Sequence, residues 1–353
     1  FTRYYSLSAK KISTKGEAML KKGLVQVYTG NSDLFNFAPV GLCVRAAGQG
    51  LSSLITCFLH RDILKGAAIA SFFLKPYLNI DNLVFDPSLS NKKVAEQNAL
   101  ASFKKAENAA ISAEFDIIVL NDVHALLEEK VVSAENLVSL IQDKSSKVEL
   151  ILAGRDLPLE IVKNADLVTE MVVSLSDQND TKPVVEVITG DGKGKSTYCF
   201  GKSVLMACLG SKALILQFIK SPHPYGEVKA IRKIPNIQIR TMGEGFIFSD
   251  DKEEKKKHTE AAQHAWRSCE EEILSRKYET IVLDEINIAT HFDLIKWEQI
   301  RQILTPEQRG MHFLLSGRNA HPGAVKAATK FIEMKEIKHP YKKGIKARKG
   351  IEY

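Results

Sequence analysis

A glycine-rich segment near the middle of the chain carries residues of the types and spacing used in phosphate chemistry: Thr189-Gly-Asp-Gly-Lys-Gly-Lys-Ser-Thr197. It follows an apolar run, residues 184–188, that is typical of a buried parallel strand. It precedes residues 198–209, which are typical of a helix. Glycines in such a turn let successive amide groups point inward, and the helix N-terminus adds partial positive charge. The segment therefore predicts a phosphate-binding loop.

Two side chains of this loop predict how a polyphosphate would be held. Lys195 would reach the terminal phosphates, and the Ser196 hydroxyl would hold Mg²⁺ or Mn²⁺. The loop departs from the usual spacing, because three residues rather than four separate Gly190 from Gly194. A Gly/Lys-rich surface turn is the alternative, which the flanking strand and helix patterns disfavour.

An acidic pair closes a second apolar run. Asp284 and Glu285 come at the end of residues 280–283, which are typical of another buried strand. An acid at that strand end would lie beside the phosphate loop and hold the metal ion or its hydration shell. Acids in this position also serve as helix N-caps, which is the alternative. Together with the loop, the pair predicts a magnesium–nucleotide site.

The elements that must position these residues alternate between strands and helices. In the second half of the chain, strands are predicted at 184–189, 213–218, 237–240, 280–284, 311–316 and 330–334. Helices are predicted at 195–209, 252–276, 294–304 and 323–328. Such alternation predicts an α/β fold, with a mainly parallel sheet covered by helices on both faces. Ligands of such sheets gather at the carboxyl ends of the strands, where Gly190, Gln217, Asp284 and Gly317 fall.

The sequence also contains an internal repeat. Residues 25–30 (Val-Gln-Val-Tyr-Thr-Gly) resemble residues 185–190 (Val-Glu-Val-Ile-Thr-Gly) at an offset of 160 (190 − 30). Farther on, Gly154-Arg-Asp matches Gly317-Arg-Asn at an offset of 163 (317 − 154). Blocks in the same order at a nearly constant offset indicate a tandem duplication rather than chance likeness. We predict two P-loop NTPase-like (RecA-like) units, residues 23–173 and 183–353, joined by a polar linker at 174–182.

The two repeats are chemically unequal. Residues 32–36 (Ser-Asp-Leu-Phe-Asn) stand opposite 192–196, so that Phe35 replaces the phosphate lysine and Leu34 replaces a glycine. Asn121-Asp122 stands opposite the acidic pair of the second repeat. An acid in the loop and the lost backbone freedom both oppose polyphosphate binding. The first repeat is therefore predicted to be a non-catalytic scaffold.

The composition argues against nucleic-acid-binding, membrane-spanning and disulfide-rich classes of protein. The chain has 353 residues and a net charge of +7, with basic residues scattered among acids, which favours a solvated surface over a nucleic-acid-binding stripe. No apolar run approaches the length of a membrane span. The five cysteines show no CxxC spacing, which favours a reducing intracellular compartment and argues against disulfides or a zinc site.

Residues 1–22 form a basic N-terminal segment. Its first acidic residue is Glu17, and serines accompany Arg3 and several lysines. This composition is typical of an organelle transit peptide or its remnant, which would direct the protein to a plastid or mitochondrion. A disordered basic tail on a cytoplasmic protein is the alternative.

Several blocks of the second repeat resemble one known family. They are Gln217-Phe-Ile-Lys220, Met242-Gly-Glu-Gly-Phe246, Asp284-Glu-Ile-Asn287, Ser316-Gly-Arg-Asn319 and the closing segment from Lys338-His-Pro340 to Gly350-Ile-Glu-Tyr353. Together with the compressed loop at 189–197, they strongly resemble the P-loop-type ATP:corrinoid adenosyltransferases. The resemblance is close across residues 182–353 and faint but collinear across residues 24–171.

The resemblance implies that a reduced Co(I) corrinoid attacks the 5′ carbon of ATP and displaces triphosphate. ATP, Mg²⁺ and a corrinoid are then the expected ligands, and a reductant protein is an expected partner. Lys193 and Lys195 would neutralise the leaving group, and Phe246 would lie near the lower face of the corrin. The expected nucleotide-binding residues are Thr189, Gly190, Asp191, Gly192, Lys193, Gly194, Lys195, Ser196, Thr197, Glu285, Arg318 and Asn319. The expected metal-side residues are Ser196, Asp284 and Glu285.

Some positions depart from the family pattern or leave alternatives open. The usual loop asparagine is Asp191, and Phe248 stands where tryptophan is common. A structural salt bridge is an alternative role for Arg318. The family's first-helix arginine falls on Leu205, whereas the first repeat retains it as Arg45. Either Arg45 is a relic, or the activity of the second repeat is weakened by the loss of a phosphate-binding charge.

Members of the resembled family act as homodimers in which an N-terminal segment of one subunit covers the partner's active site. We predict that the duplication fuses such a dimer, with the first repeat as the built-in partner and residues 10–22 closing over the site. The alternative is a repurposed nucleotide-binding or regulatory protein without corrinoid chemistry. Leu205 and the altered first repeat favour that alternative, whereas the intact closing segment opposes it.

Overall fold

The computed structural model describes residues 20–59, 65–82, 92–176, 181–220, 223, 225–243 and 252–353. Within them, twelve strands form one sheet. The strands of the first repeat are β1 Val25–Gly30, β2 Ser53–Cys57, β3 Leu78–Asn82, β4 Ile117–Asn121, β5 Glu149–Ala153 and β6 Leu167–Ser176. The strands of the second repeat are β7 Val184–Thr189, β8 Ala213–Gln217, β9 Ile237–Thr241, β10 Thr280–Asp284, β11 His312–Ser316 and β12 Lys330–Lys338.

The described α-helices are shared equally between the repeats. Those of the first repeat are α1 Phe37–Gly48, α2 Lys65–Leu74, α3 Lys92–Ser112, α4 Val123–Glu128, α5 Ala134–Asp143 and α6 Leu159–Asn164. Those of the second repeat are α7 Lys195–Cys208, α8 Gly226–Ile231, α9 Lys252–Leu274, α10 Ile286–His291, α11 Trp297–Gln302 and α12 Pro322–Ala327. No helix within these described ranges is long and apolar enough to cross a membrane.

The sheet has a two-fold arrangement centred on β6 and β12. Its strand order is β3-β2-β4-β5-β1-β6-β12-β7-β11-β10-β8-β9. β6 and β12 run antiparallel, whereas each repeat is parallel within itself. Met171 pairs with Met334, and these are equivalent positions of the two repeats (334 − 171 = 163). The predicted α/β fold and its tandem duplication are therefore confirmed, and the repeats form one continuous sheet.

Two equivalent glycines bring α1 and α7 into contact beside this centre. A Cβ on Gly41 would lie 1.8 Å from the Thr197 carbonyl oxygen, and one on Gly201 would lie 2.0 Å from the Phe37 carbonyl oxygen. The helix backbones therefore approach so closely that only glycine fits at either position. This crossing turns α1 of the first repeat toward the phosphate loop of the second.

The backbone preserves the duplication even where the sequence does not. Asp122 follows β4 and Glu285 follows β10, and both have positive φ, at 62° and 63°. The same left-handed conformation recurs at Asp156 and Asn319, with φ of 42° and 57°. Non-glycine residues seldom adopt this conformation, so its recurrence at matching positions points to inherited turns.

One apolar core lies across both repeats. It joins residues of the first repeat, such as Val40 and Ile55, to residues of the second, such as Leu205 and Ile215, all of them fully buried. The repeats therefore share their central packing instead of meeting as two separately folded bodies.

The predicted strands of the second repeat all occur, with ends shifted by a few residues. The helix predicted at 294–304 is wrong in extent, because only Trp297–Gln302 is helical and the chain is extended at Lys296. Two six-residue helices, α8 and α10, were missed, since a helix so short contains less than two turns of periodic pattern. β6 extends to Ser176, into the first residues of the predicted linker at 174–182.

Candidate functional site

The glycine-rich loop joins β7 to α7 and packs on β12. Gly190 and Gly194 have φ of 96° and 112°, a region that side chains other than glycine rarely adopt. A Cβ on Gly190 would also lie 2.4 Å from the Met334 carbonyl oxygen. The Gly192 amide donates to that same oxygen at 2.7 Å. The loop is therefore held in its curled form by the central strand of the sheet.

Lys195 begins α7 with its ammonium group inside the loop. Its Nζ donates to the carbonyl oxygens of Gly190 and Gly192, both at 2.7 Å. Removal from water lowers the pKa of Lys195 to about 8, against the opposing effect of Glu285. A half-buried cation that donates only to carbonyl oxygens has a large electrostatic gain available from an anionic ligand.

The acidic pair at the end of β10 has two different environments. Asp284 is fully buried, and its carboxylate accepts from Ser316 Oγ at 2.7 Å and from Gln217 Nε2 at 3.0 Å. Burial, followed by the neighbouring Asp284, raises the pKa of Glu285 to about 7. Glu285 Oε2 is buried and has no hydrogen-bond partner among the described residues.

These residues fit a divalent cation. Ser196 and Glu285 line one cavity, and the buried, unpartnered carboxylate oxygen of Glu285 is a hard oxygen ligand of the kind that Mg²⁺ prefers. Asp284 is not among the lining residues, and its two hydrogen bonds place it behind Glu285. It can support such a cation through the local negative charge.

The cavity is built from both repeats and has a volume of about 310 Å³. The second repeat provides the phosphate loop, together with side chains from the strand ends and the closing segment. The first repeat contributes Gln26, Tyr28, Leu42 and Arg45. The site is thus incomplete without the first repeat.

Arg45 is the charged contribution of the first repeat. Its Nε donates to Glu227 Oε2 at 3.0 Å, and its second nitrogen donates to the carbonyl oxygens of Ile351 and Glu352 at 3.1 and 3.2 Å. Lys220 also donates to Glu227, at 2.5 Å. Burial acts to raise the pKa of Glu227, but Arg45 and Lys220 outweigh it and hold the pKa at about 2.

Leu205 is the equivalent of Arg45 in the second repeat (205 − 160 = 45). It is fully buried beside α2, since a Cβ on Gly66 would lie 2.5 Å from its carbonyl oxygen. The site of the second repeat therefore obtains its helix arginine from the other repeat. Because Arg45 lines that cavity, the replacement of the arginine by Leu205 does not remove the positive charge from the cavity.

The closing segment connects the first repeat to the phosphate loop. Arg348 donates to both carboxylate oxygens of the buried Glu149 at 2.6 and 2.9 Å, and it also pairs with Glu352 at 3.1 Å. Glu352 in turn accepts from Lys193 Nζ at 3.0 Å. Burial opposes ionisation of Glu352, but Lys193 and Arg348 prevail and lower its pKa.

The site residues predicted from the sequence fall into three groups by their location relative to the cavity. The cavity is lined by Asp191, Gly192, Lys193, Gly194, Lys195, Ser196, Thr197, Glu285 and Arg318. Thr189, Gly190, Asp284 and Asn319 lie next to these residues without lining it, and Asn319 is exposed. Phe246 and Phe248 lie outside the described residues.

Arg318 lies at the rim of the cavity. It is about half exposed, donates to the Asp191 carbonyl oxygen at 3.2 Å and pairs with the Asp191 carboxylate at 3.7 Å. It braces the loop in this structure while remaining open to the cavity.

Sequence reasoning missed Lys220, Glu352 and the location of Arg45 as cavity residues. Signals for them existed, because Lys220 and Glu352 fall in the blocks that resemble the family and Arg45 was aligned with the family arginine. Of the predicted cover at residues 10–22, only 20–22 are described. Leu20 is buried in the first repeat, and the Lys22 carbonyl oxygen accepts from Arg348 at 3.3 Å.

The fold and the site together define a P-loop nucleotide-binding protein made of two fused repeats. Comparison with known proteins gives the family: the sequence model of ATP:corrinoid adenosyltransferase BtuR/CobO/CobP matches residues 21–175 and again 181–353. The chain belongs to this family, and each of its repeats is a copy of the family unit. The expected family resemblance is thereby confirmed.

Individual relatives agree with this assignment. A corrinoid adenosyltransferase of Sinorhizobium sp is 35% identical over 51% of this chain and 84% of its own length. One of Pseudomonas aeruginosa is 31% identical over 51% of this chain and 88% of its own length. An uncharacterised protein of Nostoc sp. is 24% identical over 94% of this chain and 95% of its own length, so it spans both repeats.

Proposed function

We propose that this protein transfers the 5′-deoxyadenosyl group of ATP to the cobalt of a reduced Co(I) corrinoid and releases triphosphate. Membership of the adenosyltransferase family supports the reaction. The observation that carries the proposal for this chain is the set of five cationic side chains that line one cavity with the phosphate loop: Arg45, Lys193, Lys195, Lys220 and Arg318. Such a set suits a highly charged leaving group.

The chemistry requires little from the protein beyond binding and charge. The cobalt electron pair forms the new Co–C bond to the 5′ carbon, and the C–O bond breaks with its electrons leaving on triphosphate. Because the corrinoid substrate is itself the nucleophile, no protein nucleophile or general base is needed. The protein has to align carbon with cobalt, exclude competing water and neutralise charge as it develops on the leaving oxygen.

The proposed roles follow from location. Lys195 exchanges the loop carbonyl oxygens for phosphate oxygens, and Lys193 exchanges Glu352 for them. Thr197, whose hydroxyl donates to the Gly194 carbonyl oxygen at 3.1 Å, fixes the end of the loop. Ser196 and Glu285 hold Mg²⁺, which supplies further positive charge to the triphosphate when bound. We further propose that Phe246 lies beside the corrin.

The proposed division of labour assigns catalysis to residues 183–353 and support to residues 23–173, with 174–182 as the linker. Arg45 makes the first repeat a contributor to the site and not only a scaffold. We also propose that residues 10–22 of the N-terminal segment cover the site, and that a reductant protein delivers electrons to the corrinoid. The alternative of a nucleotide-binding protein without corrinoid chemistry loses one of its grounds, since Arg45 lines the same cavity as the loop.

The test is anaerobic incubation of the full chain with ATP, Mg²⁺ and chemically reduced cobalamin. The absorbance change that accompanies adenosylation should appear and require ATP. Lys195→Ala should abolish ATP binding and turnover together, whereas Lys212→Ala, at an exposed lysine outside the cavity, should match the wild type. ATP binding without any adenosylation would overturn the proposal in favour of the nucleotide-binding alternative.

A further inference from the structure

The first repeat has a different chemical group at the place where the second has its phosphate loop. Phe35 stands at the position of Lys195 and is fully buried. The Phe35 ring and the His124 imidazole form a T-shaped contact with their centroids 5.9 Å apart. An apolar ring therefore fills the space that a phosphate would need, and polar groups of a different kind surround it.

Three of those groups are of metal-binding type. One ligand atom each from Asp33, Asp122 and His124 lies within 4.8 Å of the others. Asp122 is fully buried and His124 is 3% exposed, whereas the Asp33 side chain is 44% exposed. The cluster thus has a buried base and one open side, which is the arrangement of a site that a solvated cation can enter.

The cluster lies at the carboxyl end of β4, which is the place in the first repeat equivalent to the proposed Mg²⁺ site of the second; because β6 and β12 run antiparallel, the two places lie at opposite edges of the sheet. Asp122 is the equivalent of Glu285, and His124 is the equivalent of Asn287, both at an offset of 163 (285 − 122 and 287 − 124). Asn287 has protein partners, since it donates to the Gly317 carbonyl oxygen at 3.1 Å. The replacement of that amide by an imidazole changes the group from a hydrogen-bonded support into a nitrogen donor without such support.

The unpaired ring nitrogens of His124 indicate that this cluster binds a ligand. Both of its ring nitrogens are buried, and neither has a hydrogen-bond partner among the described residues. An imidazole left in this state loses its hydration without compensation, which is costly unless a ligand restores a bond. In its neutral form, the imidazole has one nitrogen whose lone pair can bind a cation.

The neighbouring residues suit this arrangement. Asn36 Nδ2 donates to Asp122 Oδ1 at 3.0 Å, which orients that carboxylate. Arg155 lies 3.7 Å from the Asp33 carboxylate and 3.8 Å from that of Glu128, so it balances part of the acidic charge. Bonds of about 2.0–2.2 Å bring ligand atoms to about 3–4 Å from one another, so a small rotation of the exposed Asp33 suffices to close the set.

We propose that the first repeat binds a divalent transition-metal cation, such as Zn²⁺ or Mn²⁺, through Asp33, Asp122 and His124. One imidazole and two carboxylates form a mixed nitrogen and oxygen set, which such metals accept more readily than Mg²⁺ does. This site is separate from the nucleotide cavity and does not depend on adenosyl transfer. The first repeat would then have exchanged a nucleotide for a metal ion, and the ion would stabilise the fold by binding to the native state.

The test uses the full chain after removal of metals with a chelator. Mn²⁺ is added, and pulsed electron paramagnetic resonance is used to detect coupling of the ion to an imidazole nitrogen. Because His339 also lines the nucleotide cavity, the nitrogen signal is assigned to the first repeat by its loss in His124→Ala. The signal should be present in the wild type and absent from His124→Ala.

A second variant covers the case in which His124→Ala does not fold. Asp33→Asn changes one atom at a partly exposed position, and it should weaken Zn²⁺ binding by about tenfold or more in calorimetric titration. Glu128→Gln removes the other acid that pairs with Arg155, and it should change affinity by less than about twofold. Absence of the nitrogen signal from the wild type, or equal Zn²⁺ affinity for wild type and Asp33→Asn, would overturn the proposal.

Discussion

Glu227 is the buried carboxylate at which charges from the two repeats meet. It has no exposed surface, and it accepts hydrogen bonds from Arg45 of the first repeat and from Lys220 of the second. Removal of either cation would leave the buried carboxylate with only one of its two partners, which is more costly than the loss of a surface pair. The residue thus makes the stability of the cavity wall depend on both repeats.

This environment predicts a dependence of stability on acid. The pKa of Glu227 is 4.5 in an unfolded chain and about 2 in the folded protein, so ionised Glu227 stabilises the fold above about pH 4.5. That contribution is lost as the pH falls from about 4.5 to about 2, and it amounts to at most about 3 kcal/mol. Urea unfolding of the wild type and of Glu227→Gln should therefore differ by a constant amount at neutral pH and by progressively less in acid.

The control for this experiment is an exposed glutamate, changed in the same way. Glu160→Gln should follow the wild type across the whole pH range. A difference between wild type and Glu227→Gln that stays the same from neutral pH to about pH 3 would contradict the assigned linkage.

At the scale of elements, α1 delivers Arg45 to the cavity of the other repeat. A lysine at this position keeps one charge but cannot donate in the two directions that the guanidinium uses, toward Glu227 and toward the closing segment. Arg45→Lys should lower kcat/KM for ATP by about 10- to 100-fold, with most of the loss in kcat if the charge acts on the leaving triphosphate. Steady-state adenosylation kinetics provide the measurement.

A control variant and an unfolding measurement distinguish a catalytic role of Arg45 from a purely structural one. Arg232→Lys, at an exposed arginine directly after α8, should leave kcat/KM unchanged. Thermal unfolding of Arg45→Lys then shows whether the fold is intact. An intact fold with wild-type kcat/KM would make Arg45 a relic after all.

The crossing of α1 and α7 makes a prediction of its own. Gly201→Ala would place a Cβ 2.0 Å from the Phe37 carbonyl oxygen, and neither helix can yield without moving the phosphate loop at the start of α7. We expect a loss of about 2–4 kcal/mol in unfolding free energy together with weaker ATP binding. Cys208→Ala, at the half-buried end of the same helix, should have a much smaller effect; similar losses for both variants would refute the role of the crossing.

The parts of the fold predicted from sequence are those coded locally. The apolar runs of β7 and β10, the curled loop and the repeat offset all lie within short windows, where period and glycine spacing determine the structure. The composition of the cavity was not predictable in this way. Arg45 and Ile351, for example, are 306 residues apart in the chain and meet only because β6 pairs with β12. The approach of α1 to α7 likewise depends on two glycines whose role is invisible without the partner helix.

At the scale of the whole molecule, the duplication has joined two copies of a family unit through their equivalent central strands. The shared core and continuous sheet keep the first repeat necessary even though its loop no longer suits a polyphosphate. Because the repeats are covalently linked, each position needs to function in only one of the two equivalent places. Arg45 and Leu205 illustrate this, as the arginine is present only where it faces the intact loop.

Separation of the repeats tests this dependence directly. Residues 181–353 alone would expose the β12 edge, Lys330–Lys338, and the apolar face of α7, and they would lack Arg45. We expect this fragment to aggregate or to pair with itself, and to bind ATP at least about tenfold more weakly than the full chain. Co-expression with residues 1–176 should restore a soluble one-to-one complex and its ATP affinity, as measured by light scattering and calorimetry. The same co-expression with Gly41→Ala in the first fragment should restore neither, because the helix crossing is blocked. A monomeric 181–353 fragment with full ATP affinity would show that the second repeat is self-sufficient.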